Sequence, residues 1–167
     1  MQERLAAREG TDALGTDNVT IGEYTISTDF ERIDINVVYD YLHNEAYWSK
    51  GIPRDLLERS IRHSLCFGVY KGRDMVGFAR VISDYATFAY LGDVFVLPEH
   101  RGRGLSKELM KAISSHPDLQ GLRRFYLVTR DAHGLYAQFG FQVVNEPGRH
   151  MERVTPASVL YGPSERA

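Results

Sequence analysis

The sequence predicts an α+β domain built around a mixed β-sheet, and three observations carry that prediction. Strand-length runs rich in apolar and aromatic residues at 66–71, 75–83 and 88–96 follow one another across short turns, the order of an antiparallel meander. Segments of helical period precede and follow that block, with apolar residues recurring on one face. A further strand pattern at 125–128 comes after a helix, so a crossover returns it parallel to the strand before.

The elements can be justified in order. A short strand is expected at 24–28, then a helix at 36–43, where Val37, Val38, Tyr41 and Leu42 recur at helical spacing. Pro53 opens a second helix through about residue 63, because its missing N–H is one that a helix start leaves unbonded anyway; Leu56, Leu57 and Ile61 form its apolar face. Gly72, Arg73 and Asp74 turn the first hairpin of the meander, and residues 84–87 turn the second. The next helix places Leu105, Leu109, Ala112 and Ile113 on one face, with Ser106, Lys107, Glu108 and Lys111 opposite, and Pro117 stops it. After the strand at 125–128 a short helix ends at Gly140, a left-handed C-cap position, and a terminal strand closes the order.

Composition bounds the function. A chain of 167 residues, 43% of them hydrophobic, can bury one sizeable core, and a single domain is expected over residues 21–155. Residues 1–20 and the tail at 156–167 look poorly committed to structure. A net charge of −2 argues against a nucleic-acid module, whose binding face is strongly basic. No apolar run approaches membrane-spanning length and the amino terminus lacks a signal-peptide core, so a soluble cytoplasmic protein is expected, without a membrane partner. The single cysteine, Cys66, allows no intrachain disulfide, which suits a reducing compartment. The six histidines, at 43, 63, 100, 116, 133 and 150, show no metal-ligand spacing, and no metal is expected.

The most informative segment is the apolar run Val94, Phe95, Val96, Leu97, Pro98 followed by the basic turn Arg101, Gly102, Arg103, Gly104, Leu105, Ser106, Lys107 at the start of a helix. The first N–H groups of a helix lack intrahelical partners and carry the positive end of its dipole, so they attract an anion. Gly102 and Gly104 let the main chain approach an oxyanion, and Arg101 and Arg103 add charge and fork-shaped donors. A solvated surface turn is the alternative. The segment is neither an NTP-binding P-loop nor a dinucleotide fingerprint, since it lacks Gly-Lys-Ser/Thr and G-x-G-x-x-G.

The order strand, Val-x-Pro, Arg-x-x-Gly-x-small, helix resembles the acetyl-CoA signature [RQ]-x-x-G-x-[GA] of the GNAT N-acetyltransferases, read here as Arg101 to Ser106. Ser106 departs from the usual Gly or Ala, but it is small and its hydroxyl can donate to a phosphate. A second match, Leu135, Tyr136, Gly140 and Phe141, resembles the family's short helix after the fifth strand. The resemblance covers about residues 24–153. It implies a GNAT-like three-layer fold with a mixed sheet of about six to seven strands and about four helices, and an acetyl-CoA-dependent N-acetyltransferase acting on a primary amine of a small molecule or peptide. In that family the fourth and fifth strands splay and their unpaired backbone groups grip the pantetheine arm. By resemblance Val94, Phe95 and Val96 supply those groups, and Gly102 through Lys107 hold the pyrophosphate.

Such chemistry needs a neutral amine, a stabilised oxyanion and a proton for the leaving thiolate. Tyr136 matches the family's general acid; a core tyrosine is the alternative. Asp93 interrupts an apolar strand, which makes it a candidate base or anchor for a cationic acceptor, or else a structural partner for an arginine such as Arg80. Asp131 and His133 are weaker candidates, Asp131 as a helix N-cap. Cys66 could take an acetyl group but no base neighbours it in sequence, and inert core is its alternative. By resemblance Tyr47, Trp48, Tyr85 and Phe88, with Lys50 and Tyr90 beside them, line the acceptor side, where aromatics suit an apolar or cationic amine; each could equally be a core or interface aromatic. A noncatalytic acetyl-CoA-binding sensor is the rival reading, and an RNA-binding protein is disfavoured for want of a stacking platform. Either a monomer or a homodimer is compatible with the sequence.

Overall fold

The computed structural model describes residues 19–161. Most of the two terminal segments expected to be uncommitted, residues 1–18 and 162–167, lies outside the described residues. Two short strands, Val19–Ile21 (β1) and Tyr24–Ser27 (β2), form an antiparallel hairpin with Val19 opposite Ile26 and Ile21 opposite Tyr24. The sequence pattern does not announce β1, because Val-Thr-Ile is too short to show a period. Helix α1 (Ile35–Asp40) is capped by the Asp34 carboxylate, which accepts from the N–H groups of Asn36 and Val37, and it continues as a π-helical turn at Tyr41–Glu45. Helix α2 spans Arg54–Arg62, with Pro53 in extended backbone at its start.

Strands β3 (Leu65–Lys71), β4 (Asp74–Ser83) and β5 (Phe88–Val96) form the expected antiparallel meander. Helix α3 (Leu105–Ser115) crosses over to β6 (Arg124–Leu127), which pairs parallel to β5. The sheet has six strands in the order β1 to β6, the mixed α+β sheet the sequence predicts. Helix α4 (His133–Ala137) follows, and a helical turn, α5 (Ala157–Leu160), ends the described chain. The expected terminal strand is not formed among the described residues: the segment 141–146 makes no ladder.

Helices cover both faces of the sheet, and the period-two alternation of the strands distributes the core between them. Phe67 and Val69 of β3, with Ala79 and Val81 of β4, pack beneath Leu105, Leu109, Met110 and Ile113 of α3. Cys66 and Tyr70 of β3, with Phe78 and Phe95, face Val38 and Leu42 and Leu57 and Ile61 from α1, its π turn and α2. Two covered faces explain why β3 and β4 read as continuous apolar runs.

Tyr70 leans back along its own strand over Gly68, so a β-carbon at Gly68 would lie inside the van der Waals envelope of the ring. The ring is fully buried with the Arg32 guanidinium 4.0 Å from its centroid, and its hydroxyl has no hydrogen-bond partner. Burial pushes the phenol up to about 12. Gly68→Ala is expected to destabilise by about 1–3 kcal/mol in urea unfolding, because the buried ring has nowhere to move. Tyr70→Phe, which deletes an unpaired buried hydroxyl, is expected to leave stability unchanged or raised; a loss would show that the hydroxyl has a partner.

Candidate active site

The site begins with an irregularity in β5. Phe95 lies opposite Phe78, while Gly92 lies opposite Arg80, so β5 advances three residues where β4 advances two. The extra residue makes a bulge. Asp93 sits in it with φ 54, in the left-handed region that Asp tolerates better than most side chains.

Beyond the bulge β5 leaves β6. The parallel ladder joins Phe88 to Arg124 through Leu91 to Leu127, and from Gly92 onward β5 has no partner on that side. Leu97 N–H donates to the Val76 carbonyl at 2.8 Å, and strand alternation therefore turns the main-chain groups of Phe95 toward β4 and those of Val94 and Val96 into the gap. The N–H groups of Val94 and Val96 thus face the gap, the Val96 carbonyl being taken by the Arg101 guanidinium, while the main chain of Phe95 is turned to β4. The Phe95 ring instead stacks on Tyr41, with centroids 4.0 Å apart and planes 11° from parallel.

The gap opens on a cleft of about 300 Å³ lined by Val96, His100, Arg101, Gly102, Gly104, Leu105, Ser106, Lys107 and Leu135. Gly102 and Gly104 have φ 74 and 78, a backbone that side-chain-bearing residues rarely adopt, and Gly104 starts α3 without any capping side chain. Its carbonyl accepts from Lys107 and Glu108 N–H, leaving the Leu105 and Ser106 N–H groups at the mouth of an 11-residue helix without helical partners. Main-chain donors, a helix dipole and Lys107 fit a diphosphate.

Arg101 does something different from direct phosphate binding. Its Nε donates to the Val96 carbonyl at 2.9 Å and its Nη2 to the Tyr41 hydroxyl at 3.0 Å, so the guanidinium braces the cleft wall against β5. Arg103 is exposed and does not line the cleft. His100 does line it, with Nδ1 3.0 Å from the Tyr24 hydroxyl. In the sequence His100 is one of six scattered histidines without metal-ligand spacing, and its place between Val-x-Pro and the glycines is the signal for its position in the cleft.

One position beyond Leu135, which lines the cleft, Tyr136 of α4 is 9% exposed, its ring 6.0 Å edge-on from Phe141. Gly140, at φ 84, turns the chain so that Phe141 N–H reaches the Tyr136 carbonyl at 3.3 Å. Burial first, then the neighbouring Tyr47, Asp131 and Tyr90, pushes the Tyr136 phenol up to about 12, so it is protonated at neutral pH.

Asp93 is largely buried and both of its oxygens are engaged. Arg80 Nε donates to one, and Trp48 Nε1 donates to the other at 3.0 Å. Arg80 also reaches the Ser64 hydroxyl at 3.3 Å. The arginine partnership weighed for Asp93 from sequence is present in the fold. Trp48 carries Tyr47 edge-on at 5.0 Å, and the Arg130 guanidinium lies 3.8 Å above the Tyr47 ring. Trp48 and Tyr47 thus join the loop after α1 to Asp93 and to the end of β6. Tyr85 and Phe88 are placed elsewhere: Phe88 is five positions before Asp93, roughly 17 Å along the strand, and Tyr85 packs on the α3 side of the core. Cys66 is buried and its thiol is pushed up to about 12, chiefly by burial, so it is held as an inert thiol. Among the described residues no group of three His, Cys, Asp or Glu could hold a metal ion, and no helix is long and apolar enough to cross a membrane.

Comparison with known proteins agrees with this geometry. The model of the Acetyltransferase (GNAT) family matches residues 35–141. A Gibberella zeae protein whose name places it with the acetyltransferases is 33% identical over 143 residues, 72% of this chain and 80% of its own length. A crystal structure from Xanthomonas campestris pv. campestris, of a protein belonging to the GNAT family, is 56% identical, with TM-score 0.81 over 86% of this chain and 100% of the other. A Clostridium acetobutylicum protein solved with acetyl-CoA shares the fold at 15% identity, with TM-score 0.55 over 77% of this chain and 98% of the other. The protein therefore belongs to the GNAT acetyltransferase family.

Proposed function

We propose that this chain, as a single domain over residues 21–155 and in the cytoplasm, moves the acetyl group of acetyl-CoA to a primary amine of a small molecule or peptide by direct attack. The observation that carries the reading is the gap beside Val94 and Val96, which opens on the glycine cradle at Gly102–Gly104 and is lined by α4 through Leu135, the neighbour in sequence of the protonated Tyr136. Acetyl-CoA supplies a thioester whose carbonyl carbon bonds to the amine nitrogen as its C–S bond breaks, one amine proton being lost and one thiol proton gained.

The chain's own groups divide that work. The N–H groups of Leu105 and Ser106, with Lys107 and the Ser106 hydroxyl, hold a diphosphate at the helix start. Val94, and Val96 through its N–H, offer main-chain bonds to an amide-bearing arm lying in the gap, and on this reading the Val96 N–H polarises a carbonyl there. Tyr136 keeps a proton at neutral pH. An ordinary thiol titrates near ~8.5, so full transfer from a phenol at about 12 is uphill, and Tyr136 acts first as a hydrogen-bond donor to developing charge on sulfur. Asp93, with Arg80 and Trp48 on its two oxygens, is a positioning residue for the bulge and for the aromatic corner of Tyr47 and Trp48 that borders the acceptor side. The acceptor's surplus proton leaves to water at that exposed corner.

Saturating acetyl-CoA, at about 100 times its Kd, is expected to stabilise the fold by about 2.7 kcal/mol and raise the melting temperature. The absence of any shift would remove the reading. A thiol-release screen across primary amines then separates an enzyme from a sensor, which would show the thermal shift and release no thiol with any acceptor. Tyr136→Phe is expected to lower kcat about 100-fold with the KM for acetyl-CoA within a few fold, and unchanged kcat would sink its role as donor. Asp93→Asn leaves Arg80 without a counter-charge and is expected to cost about 3 kcal/mol of stability while keeping the wild-type shape of the pH–rate profile. Loss of an ionisation limb in that variant would make Asp93 the base after all.

A further inference from the structure

The acceptor corner already holds a cation on its aromatic wall. Arg130 follows β6, and its guanidinium rests 3.8 Å above the ring of Tyr47, so the face suited to a cationic amine is filled by the chain itself. Neither Asp93 nor Asp131 is free to receive a second positive group. Both oxygens of Asp93 are held, by Arg80 and Trp48, and Asp131 lies 3.4 Å from Arg130 Nη2. A diamine or polyamine therefore finds no seat beside these residues.

Arg130 itself has donors to spare. Among the described residues its one hydrogen bond is the long contact to Asp131, and both side chains are about two-thirds exposed. An exposed ion pair of that kind contributes little, so a ligand anion exchanges with Asp131 at small cost. The N–H bonds of a guanidinium lie in its plane, and one that rests on a ring keeps its edge free to grip a carboxylate through two bonds. The ring beneath also restricts the side chain, so less freedom is lost when an anion binds.

This anion seat lies beside the reacting groups. Tyr47 beneath Arg130 and Asp131 next to it are the neighbours that, after burial, press hardest on the Tyr136 phenol, which puts the guanidinium in the same corner as the donor to sulfur. A carboxylate held there stands only a few bonds from an amine that meets the thioester. We propose, resting on the transferase reading above, that the acceptor is a free amino acid whose carboxylate pairs with Arg130 while its amine takes the acetyl group. Arg130 binds and orients the acceptor; the bonds made and broken are those of amide formation already given. The amino terminus of a peptide carries a neutral amide where a free amino acid carries this charge, so it lacks the group that Arg130 selects.

Trp48 is the chain's single tryptophan and sits edge-on to Tyr47, so its fluorescence reports on this corner. The full chain, with and without saturating CoA, is titrated with the common amino acids and β-alanine, each against its carboxamide. At least one acid is expected to saturate the signal, and its carboxamide to bind about 10- to 100-fold more weakly, as for loss of a charge-paired hydrogen bond. Arg130→Gln, with circular dichroism unchanged because the side chain is exposed, is expected to remove that preference, and Arg130→Lys to restore part of it. Thiol release from acetyl-CoA is expected to follow the same order, with kcat/KM in Arg130→Gln falling through the KM for the amino acid while the KM for acetyl-CoA holds. No response to any amino acid, carboxamides that bind as well as the acids, or a preference that survives Arg130→Gln each overturns the inference. Acids that bind with this preference and release no thiol instead strike the transferase reading and leave the anion seat standing.

Discussion

The site depends on one constraint, the bulge that Asp93 puts into β5. A strand that advances one extra residue against its neighbour twists and bends at that point, and it cannot keep register on both edges. Here the β4 edge is kept and the β6 edge is given up after Leu91. Main-chain groups are rarely left without partners, so two N–H groups turned into a gap mark a place shaped for something else to bind. The left-handed backbone at Asp93 is held because its carboxylate is gripped by Arg80 from the next strand and by Trp48 from the loop after α1. Arg80 and Asp93 are both largely buried, and such a pair is a better device for fixing geometry than for adding stability.

The wall on the other side of the cleft is built in the same way, by contacts between distant segments. Tyr41, in the π turn after α1, stacks on Phe95 and accepts the bond from Arg101, while Arg101 bonds back to Val96. Helix α3 is seated by Leu105, Leu109, Met110 and Ile113 in the larger core, so its first turn cannot drift from the end of β5. Cradle, gap and Tyr136 thus ride on packed elements rather than on free loops, which keeps a ligand spanning them in one geometry.

Much of this is legible in the amino-acid sequence. The boundaries of β3 to β5, the Pro53 start of α2, the parallel return of β6 and the glycine cradle all follow from local signals: period, turn residues and helix caps. The features that were not legible are those set by residues far apart in the chain. Nothing near Asp93 in sequence says that it will take a left-handed backbone, since the cause is a register mismatch with β4. Arg101 carries a motif arginine's charge but spends its donors on Tyr41, sixty positions away. Phe95 sits between two gap-facing residues, and only the pairing of Leu97 with Val76 shows that it faces the other way. The terminal strand expected after Gly140 has β-prone residues, Val143 and Val144, but local propensity alone does not make a ladder.

Amide hydrogen exchange at single-residue resolution, with and without acetyl-CoA, tests the central claim most directly. In the free chain Val94 and Val96 are predicted to exchange fast beside a slow Phe95, and acetyl-CoA is predicted to slow Val94 and Val96 by about tenfold or more while leaving Phe95 unchanged. Protection of Val94 and Val96 in the free chain, or exchange there that acetyl-CoA does not alter, would contradict the account.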